Sequence, residues 1–298
     1  MMTARRTPIM GELRHDEPMS RHTSLRVGGA ADLFYKPADV ADLAHFLGTV
    51  DASIPIFWFG LGSNLLVRDG GLPGVVIATS GIFRELVDAG DHCVQAGASV
   101  ACTQLARQCI RWGYGPSEFF AGIPGTVGGA LAMNAGAHGG ETWDRVRAVQ
   151  TIDRHGEQRE RHPSDYTIAY RSVTGPAEEW FVGATFEFDP DADPSMETLK
   201  TLQARRKDTQ PLGLPSCGSV FRNPAGDHAA RLIETAGLKG HRIGGAIVSE
   251  KHANFIINSG DATAADIETL IRHVQDTVKA EHGVELVHEV RIVGREAK

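Results

Sequence analysis

The sequence predicts an α+β fold, and three observations predict it. A chain of 298 residues is long enough for two or three packed units that bury a core without disulfides. Its apolar periodicity switches repeatedly between the strand and helix patterns. Residues 145–152 and 158–162 flank a turn at 153–156, and the β-rich segment 180–188 follows, so an antiparallel meander is expected where a doubly wound sheet would have a helical crossover.

In chain order, residues 31–36 form the first predicted strand, followed by a helix over 37–47. Val40, Leu43, Ala44 and Leu47 share one face of that helix, with Pro37 in its first turn. Short apolar runs at 54–59 and 75–79 read as buried strands. A helix is expected from Ser99, with Cys102, Leu105, Ala106 and Cys109 on one stripe and Gly113 as its stop. Beyond the meander, the DPDADP stretch at 189–194 marks a boundary. Helices at 195–206 and 228–236, a strand at 254–258, a long helix at 263–282 and a strand at 284–293 complete the chain. Thr263 caps the long helix with Asp266 three residues on, and Gly283 ends it. Cuts near 80 and 192 divide the chain into units 1–80, 81–192 and 193–298.

Composition narrows the function classes. A net charge of −7 lacks the basic footprint of a nucleic-acid-wrapping protein. No apolar run reaches the roughly 18 residues of a membrane span, and the N-terminal stretch has no apolar targeting segment, so a cytoplasmic chain is expected. Four cysteines without a C-x-x-C pair read as buried free thiols, and thirteen scattered histidines offer no metal-ligand spacing. The chain has 34 glycines where average usage gives roughly 21.

Two segments concentrate that excess. Gly60-Leu61-Gly62-Ser63-Asn64-Leu65 follows a predicted strand as a dinucleotide-binding turn would, but Leu65 replaces the third glycine and Gly70-Gly71 leaves no room for the helix. There is no Gly-Lys dipeptide, hence no Walker-type loop. What remains is a turn able to present main-chain N–H groups to an anion. Residues 113–140 hold nine glycines, and Gly128 opens a short helix that could point at a phosphate. Tight structural packing explains one such loop equally well. Two in one chain favour a dinucleotide.

Six ordered motifs carry a resemblance: the 60–67 turn, residues 121–141, Tyr170-Arg171, Gln210-Pro211 through Pro224, the run from Gly244 to Asn258, and Glu289-Val290-Arg291 through Gly294. Together they resemble the UDP-N-acetylenolpyruvoylglucosamine reductase family, in its shorter subclass, over residues 23–294. The resemblance implies a two-domain FAD-binding fold of the vanillyl-alcohol-oxidase type, plus a C-terminal α/β substrate-binding domain. It implies non-covalent FAD, NADPH as co-substrate and a UDP-sugar substrate in peptidoglycan precursor synthesis; no nucleic acid, membrane insertion or metal is expected, and the sequence leaves the oligomeric state open, with a monomer slightly favoured. FAD contacts are expected at Gly60, Gly62, Ser63, Asn64 and Leu65, and at Gly122, Ile123, Pro124, Gly125, Thr126, Gly128, Gly129, Asn134 and Gly136.

The family's catalytic roles map onto Arg171, Ser219 and Glu289. Arg171 would grip the substrate carboxylate, Glu289 would share the developing charge, and Ser219 would donate the proton. Substrate contacts are expected at Tyr170, Lys207, Arg222 and Asn223. Taken singly, Arg171 reads as a surface ion-pair partner, Glu289 as a solvated strand residue, Ser219 as turn chemistry and Lys207 as a helix end. The chain departs from the family pattern at His22, His138, Val173, Arg222 and His288. Cys217, two residues before Ser219, reads as a packed thiol. The competing functions are another FAD oxidoreductase of the same superfold, such as an oxidase, and a nucleotide-binding protein without catalysis.

Overall fold

A computed structural model describes residues 8–297; the first seven residues of the N-terminal stretch lie outside it. The chain first builds β1 (Glu12–Pro18), β2 (Ala30–Lys36), α1 (Val40–Leu47), β3 (Ile56–Phe59), β4 (Leu65–Val67) and β5 (Leu72–Ala78). Four of these strands form a sheet in the order β1-β2-β5-β3, antiparallel at β1-β2 and parallel elsewhere. Leu43, Phe46 and Leu47 of α1 pack with Tyr35, Val75 and Ile77 of that sheet. The helix begins after Asp39, whose carboxylate accepts from Asp42 N, so Pro37 lies outside it.

Next come β6 (Leu86–Gly90), β7 (Cys93–Gly97), α2 (Cys102–Trp112), α3 (Val127–Met133), a clip of β8 (Gly136–Ala137) and β9 (Gly140–Glu141), then β10 (Val146–Asp153), β11 (Gln158–Arg161), β12 (Thr167–Ala169), β13 (Ser172–Thr174) and β14 (Glu179–Glu187). The five-stranded sheet β11-β10-β14-β7-β6 is antiparallel throughout. The hairpin of β10 and β11 forms as expected, but the meander does not: β14 pairs with the far edge of β10 and not with β11, so β10 is central and the sheet continues through β7 and β6, which lacked a clear pattern because β6 is largely exposed. α2 starts at Cys102 rather than Ser99, because Ser99 Oγ donates to Thr79 O at 2.7 Å and residues 98–100 form a turn, closed by Val100 N donating to Gly97 O, before the helix begins after Ala101. That turn has a purpose: Ala98 O and Val100 O accept from Gly128 N and Val127 N, both at 2.9 Å, and so hold the second glycine loop.

The remaining elements are α4 (Met196–Thr209), α5 (Ala229–Thr235), β15 (Arg242–Ile243), β16 (Ala246–Val248), β17 (Ile256–Asn258), α6 (Ala264–His282) and β18 (Arg291–Val293). β15, β16 and β17 form an antiparallel sheet, and α6 lays Ile267, Leu270, Ile271, Val274 and Val278 into one core with Val220, Phe221 and Leu232. Each of those side chains contributes about 1.5–3 kcal/mol by burial. The predicted strand over 284–293 shrinks to three residues. Upstream of them the chain runs beside residues 220–222 instead: Arg222 N donates to Val287 O, and Glu289 N donates to Val220 O at 2.7 Å.

β18 returns to the first unit and pairs in parallel with β4, Arg291 opposite Leu65. A second fastening lies close by. Arg68 grips Glu268 through two 2.9 Å bonds, and the Asp69 carboxylate accepts from Ala264 N and Ala265 N at the start of α6. The first sheet meets the antiparallel one where Trp58 stacks on Trp180, centroids 5.2 Å apart and planes within 4°. No helix among the described residues is long and apolar enough to cross a membrane.

Candidate active site

A cavity of about 1020 Å³ opens where the three units meet. Both glycine segments face it. The first is the β3–β4 connection, braced from outside by Ser24, whose N donates to Gly62 O at 3.1 Å. The second runs from Gly122 into α3 and is anchored on Ala98 and Val100. The N–H groups of Ser63, Asn64 and Gly129 find no intramolecular acceptor among the described residues, so they are free to receive an anion.

The glycines sort into two kinds. A Cβ added at Gly60, Gly125 or Gly129 would meet a single side-chain oxygen at 3.4–3.9 Å and would otherwise project into the cavity. At Gly122 it would strike Ala137 Cβ at 2.5 Å, at Gly128 Ala98 Cβ at 2.9 Å, and at Gly136 Gly140 O at 2.3 Å. The first kind leaves room for a ligand; the second lets the backbone pack. A dinucleotide diphosphate fits this cradle of open glycines and unbonded amides. It is narrower than the expected one, because the Val127 and Gly128 amides are already bonded.

Asn134 is placed differently from the expectation. It lies outside the cavity wall, is 2% exposed, and caps α3 in the left-handed region at φ 46°. Its amide Nδ2 donates to Glu141 Oε2 at 2.7 Å and Ala169 O at 3.3 Å, and its Oδ1 accepts from Trp143 N at 3.1 Å. Those bonds commit its side chain to the protein. The other expected cofactor residues, Gly60 through Leu65 and Gly122 through Gly136, line the cavity or its loops.

Arg171, Ser219 and Glu289 all line this cavity. Arg171 sits with Tyr170 in the two-residue turn between β12 and β13, and its Nε lies 3.4 Å from Glu289 Oε1. Tyr170 is 45% exposed, with the Arg171 guanidinium carbon 4.7 Å above its ring. Ser219 is fixed by its neighbours. Gly218 turns the chain at φ 79°, and Asn254 binds both Phe221 N (2.9 Å) and Phe221 O (2.8 Å). Val220 O accepts from Glu289 N, so the segments that carry Ser219 and Glu289 are tied to each other by the backbone. Burial raises the Glu289 pKa above the ordinary carboxylate value, against the opposing charges of Arg171 and Arg222. Cys217 is buried, and burial pushes its pKa up to about 12, so it stays a thiol.

Of the expected substrate residues, Tyr170 and Asn223 line the cavity; Lys207 and Arg222 do not. Lys207 is exposed at the end of α4, where its carbonyl accepts from Lys251 Nζ at 2.6 Å. The cavity is lined instead by Arg205, Arg206, Thr209 and Gln210 of the same helix. Arg206 forms no ion pair among the described residues; its Nε donates to Gln210 Oε1 at 2.9 Å, and burial lowers its pKa without discharging it. His138 faces the same cations, and burial with the charges of Arg205 and Arg206 pushes its pKa down. The sequence signal for this cluster is Arg206 and Gln210 one helical turn apart, just before Pro211. It was masked because α4 buries only Leu199 and so reads as a solvated helix. Among the described residues no group of His, Cys, Asp and Glu could hold a metal.

Residues 31–161 match an FAD-binding domain family, and residues 210–293 match the C-terminal domain family of UDP-N-acetylenolpyruvoylglucosamine reductase. The chain is 60% identical to the UDP-N-acetylenolpyruvoylglucosamine reductase of Alkalilimnicola ehrlichii over 99% of both chains. It is 56% identical to that of Methylococcus capsulatus, covering 96% of this chain and 95% of the relative. The crystal structure of the Thermus caldophilus reductase superposes with a TM-score of 0.78 at 31% identity, over 95% of this chain and 98% of that one.

Proposed function

The chain belongs to the UDP-N-acetylenolpyruvoylglucosamine reductase family and is an FAD-dependent oxidoreductase; from that premise we propose which of its residues do the chemistry. The chemistry supplied by bound FAD is delivery of a hydride from N5 to the terminal carbon of the enolpyruvyl double bond. The amides of Ser63, Asn64 and Gly129 hold the cofactor's diphosphate between the two glycine loops. Units 1–80 and 81–192 embrace the cofactor, and unit 193–298 covers the substrate side.

Hydride addition leaves negative charge on the adjacent carbon, delocalised into the substrate carboxylate. Arg171 stabilises that charge through guanidinium N–H groups aimed at the carboxylate. Ser219 Oγ–H protonates the carbon, and solvent returns the proton to Ser219. Glu289, kept from easy ionisation by burial, tunes the charge on Arg171 and in its neutral form can feed the serine. Arg205 and Arg206, together with Tyr170 and Asn223, take the UDP diphosphate and sugar. NADPH as the source of electrons, a cytoplasmic location and a role in cell shape and division complete the reading.

The observation that supports this assignment is that residues 171, 219 and 289 line the same cavity as the glycines whose missing side chains leave it open, with Arg171 3.4 Å from Glu289. The test is anaerobic. NADPH added to the purified holoenzyme should bleach the flavin, and UDP-N-acetylenolpyruvoylglucosamine should restore its absorbance. Recovery only on admitting oxygen would make the protein an oxidase, and no bleaching would leave it a nucleotide-binding protein.

A further inference from the structure

Arg171 stands at φ 55° in a tight turn whose strand β12 is wholly exposed, a place where a long side chain is ordinarily mobile. Here its side chain is only 13% exposed. Three contacts from behind hold it: NH1 donates to Asn134 O at 3.1 Å, NH2 to Gly136 O at 2.8 Å, and NH1 lies 3.4 Å from Glu141 Oε1. Glu141 is itself fixed. Its Oε2 accepts from Asn134 Nδ2, its carboxylate accepts from Asp144 N, and its own N donates to Asp144 Oδ2 at 3.0 Å. Asn134 also binds Ala169 O, the last carbonyl before the turn, so one buried amide holds both the carboxylate and the strand that delivers the guanidinium.

The cation therefore has two carboxylates on different sides. Glu289 belongs to the cavity wall, whereas Glu141 and Asn134 do not. We propose that Glu141, locked by Asn134, is the positioning residue for Arg171: it fixes the guanidinium and pairs with it from behind. Glu289 is thereby free to give up its contact when a substrate carboxylate arrives. The inference rests on the assignment of Arg171 and Glu289 above. Glu141 touches neither substrate nor cofactor, and its effect passes entirely through Arg171.

The test follows reoxidation of dithionite-reduced holoenzyme by UDP-N-acetylenolpyruvoylglucosamine across pH. Glu141→Gln should slow reoxidation about 10²-fold, the loss typical of a displaced reacting group. It should also move the Glu289 limb of the profile to lower pH, because one negative neighbour is gone while Arg171, Arg222 and Cys217 still face Glu289 unchanged. Glu141→Asp, which keeps the charge, should leave that limb in place. A merely structural role would slow the rate with the limb unmoved, and that result, or a native rate, overturns the proposal. If Glu141→Gln fails to retain flavin, a displaced limb in Glu141→Asp overturns it just as well. Glu289→Gln separates the two claims: if it reacts at the native rate, the reading of Glu289 fails. An inactive Glu289→Gln beside a native Glu141→Gln sinks only this inference.

Discussion

Asn64 Nδ2 lies 3.1 Å from the main-chain carbonyl of Glu289, across 225 residues of sequence. The turn proposed to hold the cofactor and the segment that carries Glu289 are thus joined by a direct hydrogen bond. Asn64→Ala should weaken flavin retention and slow reoxidation by substrate together. The lost bond is worth about 1 kcal/mol, so each effect should be roughly fivefold. Flavin content after dialysis, compared with single-turnover rates, checks the coupling; loss of one without the other would separate the two sites.

Ser219→Ala should keep its flavin and accept electrons from NADPH at the native rate. Reoxidation by substrate should fall by about 10²–10⁴, the usual worth of a positioned proton donor. Stopped-flow measurement of each half-reaction decides. Equal loss in both would assign Ser219 to cofactor binding or folding.

Glu289 has its pKa raised in the folded protein, so folding favours its protonated form. The sign follows: its contribution to stability is present at low pH and is lost as pH rises through the folded-state value. Glu289→Gln should therefore match or exceed the native Tm at pH 8, with the difference shrinking toward pH 4, while reoxidation by substrate is nearly abolished. A variant with a clearly lower Tm at pH 8 would show that the pair with Arg171 outweighs desolvation.

Arg206→Gln should raise the KM for the UDP-sugar about 10- to 100-fold, since hydrogen bonds to a charged group contribute about 1.5–3 kcal/mol. Lys207→Ala, at an exposed residue outside the cavity lining, should change it less than about twofold on the scale of exposed charges. The reverse order would return the phosphate contact to Lys207.

The two kinds of glycine make opposite predictions. Gly129→Ala improves helix propensity by roughly 1 kcal/mol and should hold or raise apoprotein Tm, yet cost at least about tenfold in FAD affinity. Gly128→Ala, 2.9 Å from Ala98 Cβ, should lower Tm by overpacking. Thermal melts of the apoprotein and flavin titrations distinguish them.

Much of this was legible in the sequence because turn and cap chemistry is local. Thr263, Asp266 and Gly283 bound α6 as expected, and Gly113 ends α2 in the left-handed conformation at φ 78°. What the sequence hid depends on what lies across a gap. Gly128 and Gly129 are neighbours with the same letter, yet one faces Ala98 and the other the cavity. Arg206 and Lys207 are adjacent cations on one helix, and only the 100° step between them decides which enters the site. Asn134 reads as one more polar residue in a glycine loop until its three bonds are seen to end inside the protein. β1 escaped detection because its exposure pattern barely alternates.

The pairing of β4 with β18 also sets a timetable. The cofactor turn is synthesised early, but the strand that completes it is among the last residues of the chain. At about 5–20 residues per second, the interval is roughly 10–45 s. Throughout that time a nascent chain carries the unbonded amides of Ser63 and Asn64 without the segment that steadies them. Pairing with β18 waits until residue 293 has been synthesised, so β4 and its parallel partner strand meet only after every intervening element has been made.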